Sequence, residues 1–347
     1  MNILDWSNFS RSTPRLHLAL GGGGARAMAH IGVLKVLEKY RLPIERLSGT
    51  SGGAIIAALY AQQGTTKAVQ ARMERFLRSD AFRELGLSLF ANEQKKDGSA
   101  FNGVGNLFHY LKSRLVFSRV LIAESLFSTD KLLELVSEII DEGRIEDLSI
   151  PLQVIAVNVD TGEEVVLEKG DIIKAVAASS AIPGMFSPVE LDGMRLIDGA
   201  IIHKVPLTDV AKTREAVIAV DVSRDIRQDY PKRMALDYIF RADEITAHRL
   251  NELHLQKADV VIRPQEARQN HWADFRHLDC YIESGEKAAL LSLSEIRASL
   301  NRRDLPVRRW LWRKLCGGDR QEGMLCNSSI RVSEESSHTQ AVVAGGH

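Results

Sequence analysis

Three observations predict an α/β domain with helices on both faces of a central sheet. The first is an apolar run, Leu16-His17-Leu18-Ala19-Leu20, that passes through Gly21-Gly22-Gly23-Gly24 into a segment of helical spacing. The second is a repeat of that unit: an apolar stretch near 44–48 leads through Gly49-Thr50-Ser51-Gly52-Gly53 into Ala54-Ile55-Ile56-Ala57-Ala58-Leu59. The third is a set of later strand-like runs separated by helical segments: Leu152 to Val159, Val217 to Val222 and Ala258 to Ile262. Strands that alternate with helices build parallel sheets, and the carboxyl ends of such strands line a crevice.

In the first unit, Ile31, Leu34 and Leu37 share one face of a helix that ends before Pro43. The second helix closes on Gly64, a C′ glycine, and residues 65–78 read as a third, amphipathic helix. Ser128-Thr129-Asp130 offers an N-cap for a helix whose apolar face is Leu132, Leu135, Val136 and Ile139. The strand from Leu152 turns at Asp160-Thr161-Gly162 and returns through Glu164 to Glu168 as a hairpin. Gly170-Asp171 opens a helix over Ile172–Ser180, which stops before Pro183-Gly184. A second hairpin turns at Asp192-Gly193, and its return strand runs into Asp198-Gly199-Ala200.

With 347 residues, 45% of them hydrophobic and 26% charged, the chain suits one large α/β domain or two smaller ones, and the run of strands and helices favours one. Lysine plus arginine and aspartate plus glutamate number 45 each, so no basic excess argues for a nucleic-acid partner. Cys280, Cys316 and Cys326 show no paired metal spacing, and so sparse a set suits a reducing compartment. Neither a metal nor a cofactor is expected. The first 15 residues lack an apolar signal core, and no uncharged run is long enough for a bilayer. The expectation is a cytoplasmic protein, peripheral to a membrane at most.

Chemistry concentrates in the two glycine turns. A G-x-S-x-G turn between strand and helix forces its serine onto a sharp bend, with the hydroxyl clear of the sheet. Gly49 and Gly53 keep side chains out of that bend. The first turn fits neither a dinucleotide site nor a P-loop. No acid ends the following strand, and no Gly-Lys-Ser/Thr follows the glycines. As an oxyanion hole for Ser51 it uses both motifs at once, with Arg26 adding a fixed positive charge. A nucleophilic serine needs a base. Asp198, at a strand end before Gly199, is the preferred candidate; His203, His248, His254, His271 and His277 keep a Ser-Asp-His triad open.

Four motifs in order resemble the patatin-like phospholipase family: Gly22-Gly23-Gly24-Ala25-Arg26, Gly49-Thr50-Ser51-Gly52-Gly53, the stretch from Ala178-Ser179-Ser180 to Ser187-Pro188-Val189, and Asp198-Gly199-Ala200. The resemblance spans roughly residues 16–207, with a weaker echo to 299, and implies a three-layer α/β/α fold around a mainly parallel sheet. It implies hydrolysis of acyl esters of phospholipids or related lipids through an acyl-enzyme. Ser51 would be the nucleophile, Asp198 its partner in a dyad, and Gly22, Gly23 and Gly24 the oxyanion donors, assisted by Arg26. Two positions depart from the family pattern. Ala27 stands where glycine is usual, and His203-Lys204 precedes Val205-Pro206 where asparagine is usual. The alternatives are a Ser-Asp-His esterase of small soluble esters, or a catalytically weak relative that binds acyl groups or a partner.

The expected organisation is an N-terminal extension over 1–15, a hydrolytic domain over 16–304, and a basic-aromatic segment with a disordered tail over 305–347. Within the domain, apolar residues crowd 84–127 on both sides of a polar loop. Two readings stand for that segment: a lid over the Ser51 crevice that meets the lipid surface, or an apolar stripe that packs on the core.

Overall fold

The computed structural model describes residues 15–86, 125–208, 215–226 and 235–302. The extension over 1–15 (Arg15 aside), the lid over 84–127 (its two ends aside) and the segment over 305–347 lie outside the described residues.

The chain builds β1 (Leu16–Leu20), α1 (Ala29–Lys39), β2 (Ile44–Thr50), α2 (Gly52–Gln63), α3 (Thr66–Leu77), α4 (Asp80–Glu84) and α5 (Thr129–Ile139). There follow β3 (Leu152–Asn158), β4 (Glu164–Leu167), α6 (Ile172–Ser180), β5 (Val189–Leu191), β6 (Met194–Asp198), β7 (Ala216–Val220), α7 (Ala235–Leu255), β8 (Val260–Ile262) and α8 (Leu278–Leu291). The caps follow local chemistry. Ser128 accepts from the Lys131 N–H and Asp171 from the Lys174 N–H, each satisfying an orphan donor. Gly64 ends α2 in the left-handed region at φ 69°. The segment after β1 departs from the expected continuous helix. A 3-10 turn over Gly24–Met28 precedes α1, because the chain must first carry the glycine loop past the sheet edge.

The sheet has eight strands in the order β5-β6-β3-β2-β1-β7-β8, with β4 also paired to β3. Pairing is parallel from β3 through β2, β1 and β7 to β8, and antiparallel among β3, β4, β5 and β6. Alternation along the strands sorts the core onto two faces. Leu16, Leu18, Leu20, Ile218 and Val220 enter the large core beneath α1, α2, α3, α5, α6 and α8. Ala19, Val217 and Ala219 turn to the other face, where Val205, Leu207 and Leu255 at the end of α7 cover them. The result is three layers, as expected. α1 and α8 cross so closely that a Cβ on Gly32 would fall 1.9 Å from the Ile282 carbonyl oxygen.

The ends of the expected lid are tied to this body. Leu85 is buried in the large core. Phe127 donates its N–H to the Met185 carbonyl at 2.9 Å and stacks at a tilt on Phe186.

Candidate active site

Ser51 sits at the carboxyl end of β2, one residue before α2, with φ 54° and ψ −126°. Side chains avoid that conformation, so the surrounding packing must hold it. The glycines of the turn supply the room. A Cβ on Gly53 would lie 2.1 Å from the Leu20 carbonyl oxygen, and one on Gly49 2.5 Å from the Ala54 Cα. The Ser51 N–H donates to the Ser179 hydroxyl at 2.9 Å, and that hydroxyl donates to the Ile155 carbonyl at 2.5 Å. Ser179 therefore ties the turn to β3 from the end of α6.

The register of β3 brings the second residue in. Along β3, Val154 and Ile155 pair with β2 and β4 at once, while Ala156 and Val157 pair with β4 and β6. A residue has one partner per side, so β4 takes one edge of β3, and β2 and β6 share the other. β2 ends with Thr50 opposite Ile155, and β6 arrives with Asp198 opposite the next residue, Ala156. Ser51 leaves the sheet where Asp198 enters it. The Ser51 hydroxyl faces the Asp198 carboxyl closely enough to favour its ionised form, as does the Ala200 N–H, which donates to Oδ1 at 2.8 Å. Burial outweighs both and pushes the Asp198 carboxyl up to about 6. Gly199 lets the chain turn there, since a Cβ on it would meet the Ile155 carbonyl oxygen at 2.4 Å.

The glycine loop closes the third side. A methyl on Gly22 would lie 3.1 Å from the Ser51 Cβ and 3.2 Å from the Ala200 Cβ, so loop, serine and aspartate converge. The expected donor set needs one correction. The Gly22 N–H is committed to the Lys204 carbonyl at 2.8 Å and is not offered to a ligand. The N–H groups of Ala25 and Arg26 are likewise spent, on the carbonyls of Trp272 at 2.6 Å and Gly23 at 3.2 Å. Among the described residues no partner accepts from the Gly23 or Gly24 N–H. Arg26 donates from Nε to the Gly23 carbonyl at 3.3 Å; burial, then Arg224, pushes its guanidinium down to about 10. His30 supports the loop from below, with Nε2 2.7 Å from the Gly21 carbonyl, and burial holds its ring near 4 and so neutral.

Four of the histidines kept open for a triad, His203, His254, His271 and His277, make other contacts. The 3-10 turn over Gly199–Ile201 swings the chain around after Asp198. His203 Nδ1 then bonds the Glu164 carboxylate on β4, and its Nε2 lies 3.2 Å from His254 Nε2. His271 lies beside Trp272, and His277 beside Asp274. Ser179 is the member of the site that the sequence reading missed. It stands within the quoted Ala178-Ser179-Ser180 motif, but a serine at a helix end does not announce which loop it will bridge. No group of three or more His, Cys, Asp or Glu among the described residues could hold a metal ion.

A serine on a strained turn, a buried carboxyl facing it and a glycine loop against both is an arrangement in the motif order quoted above, and the family model for patatin-like phospholipase matches residues 18–211. The chain belongs to the patatin-like phospholipase family. An uncharacterised NTE family protein of Mycobacterium tuberculosis is 30% identical over 242 residues, covering 70% of this patatin-like chain and 56% of the mycobacterial protein. The lysophospholipase NTE1 of Mycosarcoma maydis is 30% identical over 222 residues, 62% of this chain but 10% of the fungal protein. The chain thus spans about half the length, or less, of these curated relatives. Among solved structures, VipD from Legionella pneumophila aligns over 89% of this chain and 77% of its own, at 14% identity and a TM-score of 0.35.

Proposed function

We propose that this patatin-like protein is a serine acyl hydrolase of lipid esters that works through a Ser51–Asp198 dyad and an acyl-enzyme. The observation that carries the reading is the buried carboxyl of Asp198 facing the Ser51 hydroxyl at the junction of β2 and β6. Free aspartate, with a pKa near 3.9, is a poor base for a serine hydroxyl. Burial narrows that gap by raising Asp198 to about 6.

The steps follow from these positions. Ser51 Oγ attacks the ester carbonyl carbon as its proton passes to Asp198. The Gly23 and Gly24 N–H groups receive the developing oxyanion, and Arg26 holds the loop in place. Collapse expels the alcohol, which takes the proton from Asp198 and leaves Ser51 acylated. Water then gives a proton to Asp198 and attacks the acyl carbon; collapse releases the fatty acid as Ser51 Oγ leaves and takes that proton back from Asp198. The dyad has no imidazolium to share the charge, so preorganised donors carry much of the stabilisation. One oxyanion donor is typically worth about 2.7–4 kcal/mol. In this reading the protein meets its substrate at a membrane surface; no helix among the described residues is long and apolar enough to cross one.

The test is labelling by a fluorophosphonate together with hydrolysis of lysophospholipid and of a short-chain ester. Wild type should label and turn over both. Ser51→Ala should lose labelling and at least about a hundredfold in kcat, an increase in barrier of about 2.7 kcal/mol. A wild-type protein that neither labels nor hydrolyses would point to the weak relative that binds without turnover.

A further inference from the structure

Large hydrophobic side chains left in water in a contiguous patch mark a surface that meets something else. Among the described residues eight are exposed, and four of them, Tyr238, Ile239, Ile245 and Leu253, lie on α7. Ile239 is 64% and Leu253 61% exposed. They are not scattered. Ile239, Ala242, Thr246, Arg249 and Leu253 follow one another at spacings of three and four, the heptad rhythm of a helix–helix seam, and all five are exposed. Tyr238 and Ile245 run along one flank of that seam. Asn251 and Leu255, on the opposite side of the helix, are buried, and Leu255 covers the sheet. The seam therefore points away from the body of the protein.

The polar members of this face suit a contact with a copy of itself. Thr246 spends its hydroxyl proton on the Ala242 carbonyl at 3.0 Å, so it brings no unmet donor to the seam. Arg241 and Glu244 satisfy each other within the helix at 2.8 Å. Asp243 and Arg249, both exposed, form no ion pair among the described residues. They stand three residues before and three after Thr246, on opposite flanks of the seam; Ile239 and Leu253 stand seven before and seven after. A twofold axis through Thr246, perpendicular to α7, reverses that order in the second copy. Asp243 then meets the partner's Arg249, Ile239 the partner's Leu253 and Ala242 the partner's Leu250. In such an isologous contact each pairing occurs twice. One register thus joins opposite charges to each other and apolar residues to each other. A lipid surface would instead leave the Asp243 carboxylate against head groups with no cation of the protein to meet it.

We propose that the exposed face of α7 is a homodimer interface, in which two copies pack antiparallel along Ile239, Ala242, Thr246, Arg249 and Leu253, with Asp243 of each paired to Arg249 of the other. The inference does not depend on the hydrolase reading. At 21 residues α7 is about 31 Å long. One helix pair of that length lies at the small end of specific interfaces, about 1,000 Å² in total, so the dimer should dissociate in the micromolar range.

The experiment follows the mass of the full chain by sedimentation velocity over about 1–100 μM. Wild type should pass from monomer to dimer. Ile239→Ser combined with Leu253→Ser should stay monomeric throughout and melt like dilute wild type, because the side chains it shortens are exposed. Asp243→Arg alone, and Arg249→Asp alone, should each raise the dimer Kd at least about tenfold, about 1.4 kcal/mol, and the two together should restore it. The reversals decide the matter even if the serine variant melts lower, since they alter only exposed charges. A wild-type monomer at every concentration overturns the proposal, as does a dimer indifferent to the serine substitutions. Loss in the single reversals without recovery in the double variant overturns the register through Thr246. A wild-type monomer that floats with phosphatidylglycerol vesicles, and no longer does so with the serine substitutions, gives the face to a lipid surface and overturns the dimer.

Discussion

Ser51 carries two burdens, a hydroxyl that must be placed and a backbone angle that a side chain resists. At φ 54° and ψ −126° a residue with a Cβ is strained, a cost on the order of 1–3 kcal/mol. Ser51→Gly should therefore melt higher than Ser51→Ala by about 1 kcal/mol of stability, both being inactive; paired thermal melts read this directly. Asp198 bears an opposite kind of cost. Its pKa is raised from 3.8 to about 6, so the folded state binds the proton more tightly than the unfolded chain. The associated stability is complete below pH 3.8 and is lost as pH rises through 6. Asp198→Asn, which keeps the Oδ1 acceptor for Ala200, should thus be more stable than wild type at pH 7, by on the order of 2–3 kcal/mol. The variant should be nearly inert. In wild type, kcat/KM should climb with pH through a midpoint near 6 as the carboxylate ionises. A flat acid limb, or a less stable Asn variant, would remove Asp198 as the buried base.

The elements add what single residues cannot. Ser179 spans α6, β3 and the Ser51 turn through two short bonds, so Ser179→Ala strands the buried Ser51 N–H and the Ile155 carbonyl. That should cost about 1–3 kcal/mol in a denaturant melt and lower kcat more than it raises KM, because the turn loosens while substrate contacts remain. His203→Ala should behave differently, leaving turnover of a short ester within a few-fold while destabilising the fold as Glu164 loses a partner. The contrast shows where sequence was legible. Period-two strands, caps such as Ser128 and Asp171, and the glycine turns are local signals, and β1, β2, α2, α6 and the β5–β6 hairpin fall where they predict. The partners of the site are not local. The Gly22 N–H goes to a carbonyl on a segment that joins β6 to β7, and Ser51 to a serine at the far end of α6. His203 looked adjacent to Asp198 because only a few residues separate them, yet one 3-10 turn sends its ring to β4.

On the scale of the whole molecule, β1 begins the described chain and still lies between β2 and β7 in the sheet. Its partner on one side comes soon after it, whereas Leu20 waits for Val220 on the other. The loop that β1 feeds is then fastened by Lys204 and by Trp272, both far along the chain from β1. Closing such long loops is slow, since their entropy is lost before the contacts reward it. The site is therefore among the last things to exist during folding. In refolding from denaturant, far-UV ellipticity should return first and fluorophosphonate labelling of Ser51 should lag behind it. A nascent or truncated chain that ends before Trp272 should hold its helices and much of its sheet and yet be silent toward the probe. If the proposed activity holds, the site cannot act until the chain has passed Trp272, so catalytic competence certifies that the loop after β1 has been fastened.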